Sequence, residues 1–305
     1  MTAPLLGLGL PVSGAWATPQ SLRHVAVRAE ELGYASLWSF QRLLHPVDEN
    51  WGAVYHGVLD PVSALAYVAG CTSRIRLGTA VVNLPFYSPI VLSKALTTVD
   101  IVSSGRLDVG LGLGWAAQEF EAVGVPMARR GARAGEFVSC LKSIWTQSEV
   151  EFHGEFYDVP LSRVEPKPIQ QPHPPLLMGG AADVALRRIG RIADGWISSS
   201  RTDLTTIAQS IDLVRSAAVE AGRDPADLRF VTRGVVRLDS RAPVDRTPLH
   251  GSAEQIRADL AALGAAGVTE VFLDLNWDPE TVADDIDAAA ALDNAERVMT
   301  ALAPR

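Results

Sequence analysis

Arg76-Leu77-Gly78-Thr79-Ala80-Val81-Val82, then the stretch Pro89–Val102, then Leu107-Asp108-Val109-Gly110-Leu111-Gly112-Leu113, is the segment whose reading decides the architecture. The first and last pieces are short and close to continuously apolar. A half-solvated strand would alternate, so these read as strands covered on both faces, the mark of a parallel sheet. The middle piece carries apolar residues at helical spacing and is long enough to carry the chain back to the start of the next strand. The same grammar extends outward in both directions. Leu5–Leu10 precedes a helical pattern over Ser21–Leu32 that stops at Gly33, and Ser36–Trp38 precedes Pro61–Cys71. Leu107–Leu113 is followed by Arg133–Trp145, Leu176–Met178 by Ala182–Arg191, and Gly195–Ser198 by Leu204–Ala221. Arg229–Arg237 with Ala253–Leu263, and Glu270–Leu275 with Thr281–Leu302, complete the series.

Strand and helix therefore alternate through eight units. An open doubly wound sheet would satisfy the same alternation, but eight regular units with short connections close more naturally into a ring. The expected class is α/β, a (β/α)8 TIM barrel with inserted loops at the C-terminal face. No Pro/Gly/Ser-rich linker divides the 305 residues, so one domain over 1–305 is expected. Insertions fall at Arg42–Val58 after the second strand, Ala116–Arg130 after the fourth, and Leu238–Ser252 after the seventh, with a further one, Val150–Pro174, between the fourth helix and fifth strand. Loops that follow strands emerge at one mouth of such a barrel, where active sites of this fold sit.

Hydrophobic residues make up 48% of the chain against 20% charged, enough to build a large core. The net charge of −8 repels phosphate backbones and anionic lipid, so a small-molecule substrate is expected, with no nucleic acid and no membrane. Cys71 and Cys140 show no CxxC or Cys/His clustering, which excludes a disulfide framework and a zinc signature, and no bound metal is expected. No signal-like N-terminus or long apolar run is present, and a cytoplasmic protein is expected. Ala-rich outer helices are compatible with a homodimer and equally with helices covered within one chain.

Gly110-Leu111-Gly112-Leu113-Gly114-Trp115 places glycines at alternate positions of a strand end. Bare backbone there admits a flat ring or a phosphate, and it equally relieves crowding between strands. It is not GxGxxG opening a helix, so a dinucleotide fingerprint is disfavoured. Gly179-Gly180-Ala181-Ala182 lies between strand and helix, where free amides and a helix N-terminus can hold an anion, or where an ordinary turn suffices. His45 and His56 share the first inserted loop and are candidates to touch substrate, although solvated loop histidines are commoner. Asp108 reads as a strand-end ion pair beside Arg106. Trp38, Phe40, Trp51, Tyr55, Phe86, Tyr87 and Trp115 stand at or after strand ends and would line an apolar pocket. There is no GxSxG elbow, no P-loop lysine and no Ser/His/Asp order that implies hydrolysis. Chemistry carried by a bound cofactor then becomes attractive.

The run Ser73-Arg74-Ile75-Arg76-Leu77-Gly78-Thr79-Ala80-Val81, with Asp100-Ile101-Val102-Ser103-Ser104-Gly105-Arg106-Leu107, Gly110–Trp115, Glu119-Phe120 and Pro166-Lys167-Pro168-Ile169-Gln170, resembles the luciferase-like monooxygenase family. So do Gly124-Val125-Pro126, Arg129-Arg130-Gly131, Gly179-Gly180 and Ala193-Asp194-Gly195-Trp196, in family order. Together they are most similar to the members that use the deazaflavin coenzyme F420. The resemblance implies a cofactor ring held at the barrel mouth and a non-proline cis peptide at Ala80-Val81. It places Phe40, Asn83, Leu113, Gly114, Trp115 and Gln118 near the cofactor, and Gly179, Gly180 and Ala181 at its phosphate.

The departures are equally informative. Relatives that oxidise sugar phosphates carry an Asp-His pair and a Glu where this chain has Gln41-Arg42 and Trp115. That activity is disfavoured. Gln41 can still hydrogen-bond a ring edge, and Arg42 can offset charge on a reduced cofactor or bind an anionic substrate, unless both are loop anchors. The catalytic candidates are thus Gln41, Arg42, His45 and His56, with Tyr55 a further proton source. The expected reaction is hydride transfer between F420 and a small organic substrate, as in reduction of an activated C=C or C=O. An FMN-dependent monooxygenase and a catalytically inactive F420-binding protein are the alternatives.

Overall fold

The computed structural model describes residues 3–241, 245–283 and 285–304, so part of the Leu238–Ser252 insertion and residue 284 within the expected last helix lie outside the described residues. Eight parallel strands close into a (β/α)8 TIM barrel. Around the ring the strands are Leu5–Gly9, Ser36–Ser39, Arg76–Thr79, Leu107–Gly112, Leu176–Gly179, Gly195–Ile197, Arg229–Val235 and Glu270–Asp274. The first pairs with both the second and the eighth, and the pairing of Leu77 with Leu107 joins the third to the fourth and shuts the ring. The expected third strand, Arg76–Val82, is instead two pieces, Arg76–Thr79 and Val82–Asn83, separated by a cis peptide between Ala80 and Val81.

Several helices begin at a side-chain acceptor, some of them followed by a proline that suits the first turn. Thr18 precedes Pro19–Glu31 and accepts from the Ser21 amide, and Asp60 precedes Pro61–Ala69 and accepts from Ser63. Ser252 and Gln255 cap Ala253–Ala265 reciprocally. The expected helix Thr281–Leu302 is two helices, Pro279–Val282 and Ala288–Leu302. Each has its own aspartate cap, Asp278 and Asp287, and a capping side chain bonded to its own backbone starts a new helix. The insertion before the fifth strand contains an antiparallel hairpin, Val150–His153 with Asp158–Ser162.

Alternate residues of each strand point inward and stack in layers. At the N-terminal end the layer is ionic. Asp108, fully buried, takes Arg76 Nη2 at 2.7 Å and Arg229 Nη1 at 2.7 Å, and Glu270 takes Arg229 Nη2 at 3.0 Å. The expected Asp108–Arg106 pair is not made: Arg106 precedes the strand Leu107–Gly112, and Asp108 turns into the barrel to meet arginines of the third and seventh strands. Arg106 instead donates to the carbonyls of Ser103, Ile75, Ala69 and Thr72. Above lies an apolar layer of Trp38, Leu177, Ile197, Val231 and Phe272. Trp38 stacks on Phe272 with ring centroids 5.5 Å apart, and Gly78 is what makes room, since a Cβ there would lie 2.3 Å from the indole. No helix among the described residues is long and apolar enough to cross a membrane.

Glu30, near the end of the first helix, gathers the amides of Ser73, Arg74 and Ile75 at 3.0, 2.6 and 2.8 Å, fixing the start of the third strand. Burial pushes its carboxyl up, but those amides outweigh it and hold the carboxyl down at about 2, below its ordinary 4.5. A depressed carboxylate stabilises above its unfolded pKa, and the contribution fades as pH falls towards the folded one. Glu30→Gln should therefore cost about 1–2 kcal/mol in urea unfolding at pH 7. The gap to the parent should narrow between pH 4.5 and about 2.

Candidate active site at the barrel mouth

Past Ser39 the second strand runs out over the mouth as Phe40, Gln41 and Arg42. Phe40 packs on Trp277 at 5.0 Å and on Tyr55 at 6.4 Å between centroids. Gln41, buried, is spent at both ends: its Oε1 accepts from the Asn83 amide at 2.8 Å, and its Nε2 donates to the Tyr87 hydroxyl at 2.5 Å. It ties the second strand to the continuation of the third.

Arg42 is boxed by three rings, with its guanidinium carbon 4.7 Å from the Trp115 centroid, 4.9 Å from Tyr55 and 5.4 Å from Trp51. Its Nη1 donates to Glu119 Oε2 at 3.1 Å, and Glu119 Oε1 accepts from the Leu43 amide at 2.7 Å. Both charges are out of water, the side chains 6% and 0% exposed. Burial lowers the Arg42 pKa and Glu119 opposes that shift. The pair links the loop after the second strand to the helix Ala117–Ala122 after the fourth.

Phe40, Gln41, Arg42, Ala80, Val81, Asn83 and Trp115 line one recess of about 100 Å³, together with Tyr55 and Arg233. Tyr55 also borders a wider cleft of about 440 Å³ walled by Trp51, Val54, Trp277 and Val282, with Arg201 at its edge. Arg233 also borders a third space of about 300 Å³, beneath Pro248 and His250. These three hollows meet around Tyr55, Trp277 and Arg233.

The other expected residues stand apart from this lining. His45 and His56 face each other at 4.6 Å in the inserted loop, and His45 Nε2 accepts from the Trp51 amide at 3.3 Å. Gln118 donates to Glu49. Leu113 and Gly114 follow the fourth strand, and Gly114 occupies the left-handed region with φ 74°. Crowding accounts for two of the alternating glycines. A Cβ on Gly110 would lie 1.9 Å from the Thr79 carbonyl oxygen, and one on Gly112 would lie 2.3 Å from Val81. At the fifth strand, Gly180 packs against Ala185, where a Cβ would come within 2.8 Å, whereas Gly179 has ordinary space around it, the nearest atom 3.6 Å away. Gly179, Gly180 and Ala181 lead into Asp183–Ile192, whose N-cap, Ala182, offers no side-chain acceptor, so its first amides are unclaimed by a cap.

Arg233, Asp274 and Trp277 were missed by the sequence reading. Arg233 is an inward position of the seventh strand, in step with Arg229 and Val231, and Asp274 is in step with Glu270 and Phe272 on the eighth. A charge at the inward-facing C-terminal end of an apolar strand was the signal available. Burial lowers the Arg233 pKa and raises that of Asp274, while their mutual attraction opposes both shifts. Among the described residues no group of three or more His, Cys, Asp or Glu could hold a metal.

The model of the luciferase-like monooxygenases matches residues 6–242. The chain belongs to that family. Among its relatives, an uncharacterised protein of Mycobacterium tuberculosis is 35% identical over 76% of this chain and 73% of its own. The F420-dependent glucose-6-phosphate dehydrogenase of Amycolatopsis mediterranei is 32% identical over 64% of this chain and 58% of its own. The FMNH2-dependent dimethylsulfone monooxygenase of Pseudomonas putida is 34% identical over 50% and 42%. The luciferase-like fold is also that of monooxygenase RslO1 from Streptomyces bottropensis, with TM-score 0.80 and 22% identity over 98% of both chains. The coenzyme F420 dependent tetrahydromethanopterin reductase of Methanopyrus kandleri aligns with TM-score 0.73 and 17% identity over 97% of this chain and 98% of that one. Luciferase-like relatives thus use F420 or FMN, which supports an oxidoreductase of this family.

Removing one member of a buried ion pair strands the other, at a cost of about 3 kcal/mol. Glu119→Ala should lose about that much stability in urea, and limited proteolysis should cut the Arg42–Val58 loop sooner than in the parent.

Proposed function

We propose that this protein is an F420-dependent oxidoreductase that moves a hydride between the deazaflavin and a small organic substrate, reducing an activated C=C or C=O. The observation that carries the reading is the composition of the recess. Its walls are apolar and aromatic, its polar groups are the amides of Gln41 and Asn83, the Tyr55 hydroxyl and two arginines, and none of its described lining residues is a carboxylate or a histidine. Such a site orients and desolvates; it holds no acid–base pair of its own.

The residues fit a planar, partly anionic ring. Arg42 and Arg233 each keep a buried Nε without a hydrogen-bond partner, so an acceptor that enters the recess meets cationic donors already stripped of water. When bound, F420 supplies the hydride at C5 of its deazaflavin. Phe40, Val81 and Trp115 would flank the ring, and Asn83 would bond its polar edge. Arg42 would offset its negative charge. The turn at Gly179-Gly180-Ala181 and the amides opening the helix after Ala182 would take a phosphate. Trp51, Tyr55 and Trp277 would exclude water, with Tyr55, on the border between recess and wide cleft, placed to pass a proton. The positions Gln41, Arg42 and Trp115, engaged as described, leave no base for oxidising a sugar alcohol.

A second reading, an FMN-dependent monooxygenase, is favoured by the Pseudomonas putida relative. Titrating the purified protein with F420 and with FMN, following fluorescence, separates the two. Micromolar F420 binding with negligible FMN binding is expected, weakened about tenfold or more in Arg42→Met through loss of a buried cationic donor. Tight FMN binding without F420 binding would overturn the proposal in favour of the second reading.

A further inference from the structure

Arg233 is a guanidinium with almost nothing to bond. It is 7% exposed, and among the described residues its side chain makes one hydrogen bond, from Nη2 to the carbonyl of Ala80. Asp274 Oδ2 lies 3.6 Å from Nε, an ion-pair distance too long for a hydrogen bond, and Asp274 Oδ1 is occupied by the backbone and side-chain nitrogens of Asn276. The remaining faces are covered by rings: Trp277 at 4.6 Å, Phe40 at 5.3 Å and Phe272 at 5.4 Å from the guanidinium carbon. A guanidinium carries five N–H donors, and burying them unmatched is costly. A side chain serving only the barrel would be matched within it, as Arg229 is by Asp108 and Glu270. Arg233 instead stands where the recess meets the space below His250, against the tryptophan that walls the wide cleft.

The wide cleft describes the rest of a ligand. Trp51, Tyr55 and Trp277 give it flat apolar walls, and its one charged lining residue among those described, Arg201, is positive. That lining, among the described residues, holds no carboxylate to pair with a cation.

We propose that Arg233 binds the oxygen of the substrate, and that the substrate is a flat, apolar molecule whose carbonyl is conjugated to a C=C bond. The inference rests on the hydride-transfer reading above. In the step it serves, the hydride from the reduced deazaflavin forms a C–H bond at the carbon β to the carbonyl. The C=C pair shifts to give an enolate, and its oxygen takes up negative charge against the Arg233 N–H groups. A proton from water then reaches the α carbon and restores the carbonyl. A preformed buried cation favours the charged oxygen over the neutral one.

The test uses 2-naphthoate as a flat oxyanion, 2-naphthamide as its neutral counterpart and 2-naphthylmethylammonium as the cation, titrated calorimetrically into the protein alone and again with F420 added. Binding should fall in that order. Arg233→Met should weaken naphthoate by about tenfold or more, the size of one charge-assisted hydrogen bond, while leaving naphthamide nearly unchanged. Arg233→Lys should restore part of the loss, which a purely structural role would not produce. Arg201→Ala should change naphthoate binding little. If Arg233→Met, shown folded by circular dichroism, binds naphthoate as the parent does, or if the loss falls on Arg201→Ala, the assignment is overturned. Should Arg233→Met not fold, equal binding of naphthoate and naphthamide by the parent overturns it instead. Because the first titrations contain no cofactor, failure of F420 to bind would strike the oxidoreductase reading and leave this result standing.

Discussion

An eight-stranded parallel barrel has room inside for only about four side chains per layer, and that limit governs what each strand can place on its inner face. Charges can enter only where they meet partners across the ring. Asp108, Arg76, Arg229 and Glu270 do so at the N-terminal end. Bulk can enter only where a neighbour gives way, as Gly78 does for Trp38. The third strand presses Thr79 and Val81 onto the fourth, and Gly110 and Gly112 are the response. Above the ionic floor and the apolar layer, the top layer borders the hollows of the mouth, and there the matching of charge to partner breaks down at Arg233.

Much of the fold was legible because its signals are local. Continuous apolar runs, helical spacing and a stop such as Gly33 are written in neighbouring positions. What the chain read alone could not supply was partnership across the ring. Asp108 was assigned to Arg106 because the two lie close in sequence, while its true partners lie on the third and seventh strands. The last helix read as continuous because its apolar spacing runs on past Asp287, whose capping bond is visible only once the backbone is placed.

The site shows the same division. Phe40, Gln41, Arg42, Ala80, Val81, Asn83 and Trp115, singled out through the resemblance to the family, follow strands or sit within them and line one recess. His45, His56 and Gln118 belong to inserted segments whose direction no periodicity records, and they lie outside that lining. Arg233 and Asp274 escaped notice because each resembles one polar interruption in an apolar strand. Their significance comes from the parity of their positions, which becomes readable only when inward and outward faces are known.

The pair between Arg42 and Glu119 fixes the long loop after the second strand at its root, through Arg42 itself and through the Leu43 amide beside it. Beyond that root Trp51 and Tyr55 reach back to box Arg42, and Tyr55 lines the recess, while the exposed stretch 47–50 shapes the outer wall. The chain can therefore change its outer wall by substitution or altered length while the recess below keeps its form. Two functions that share one mouth, holding a common reagent and choosing what it meets, are in this way free to diverge at different rates.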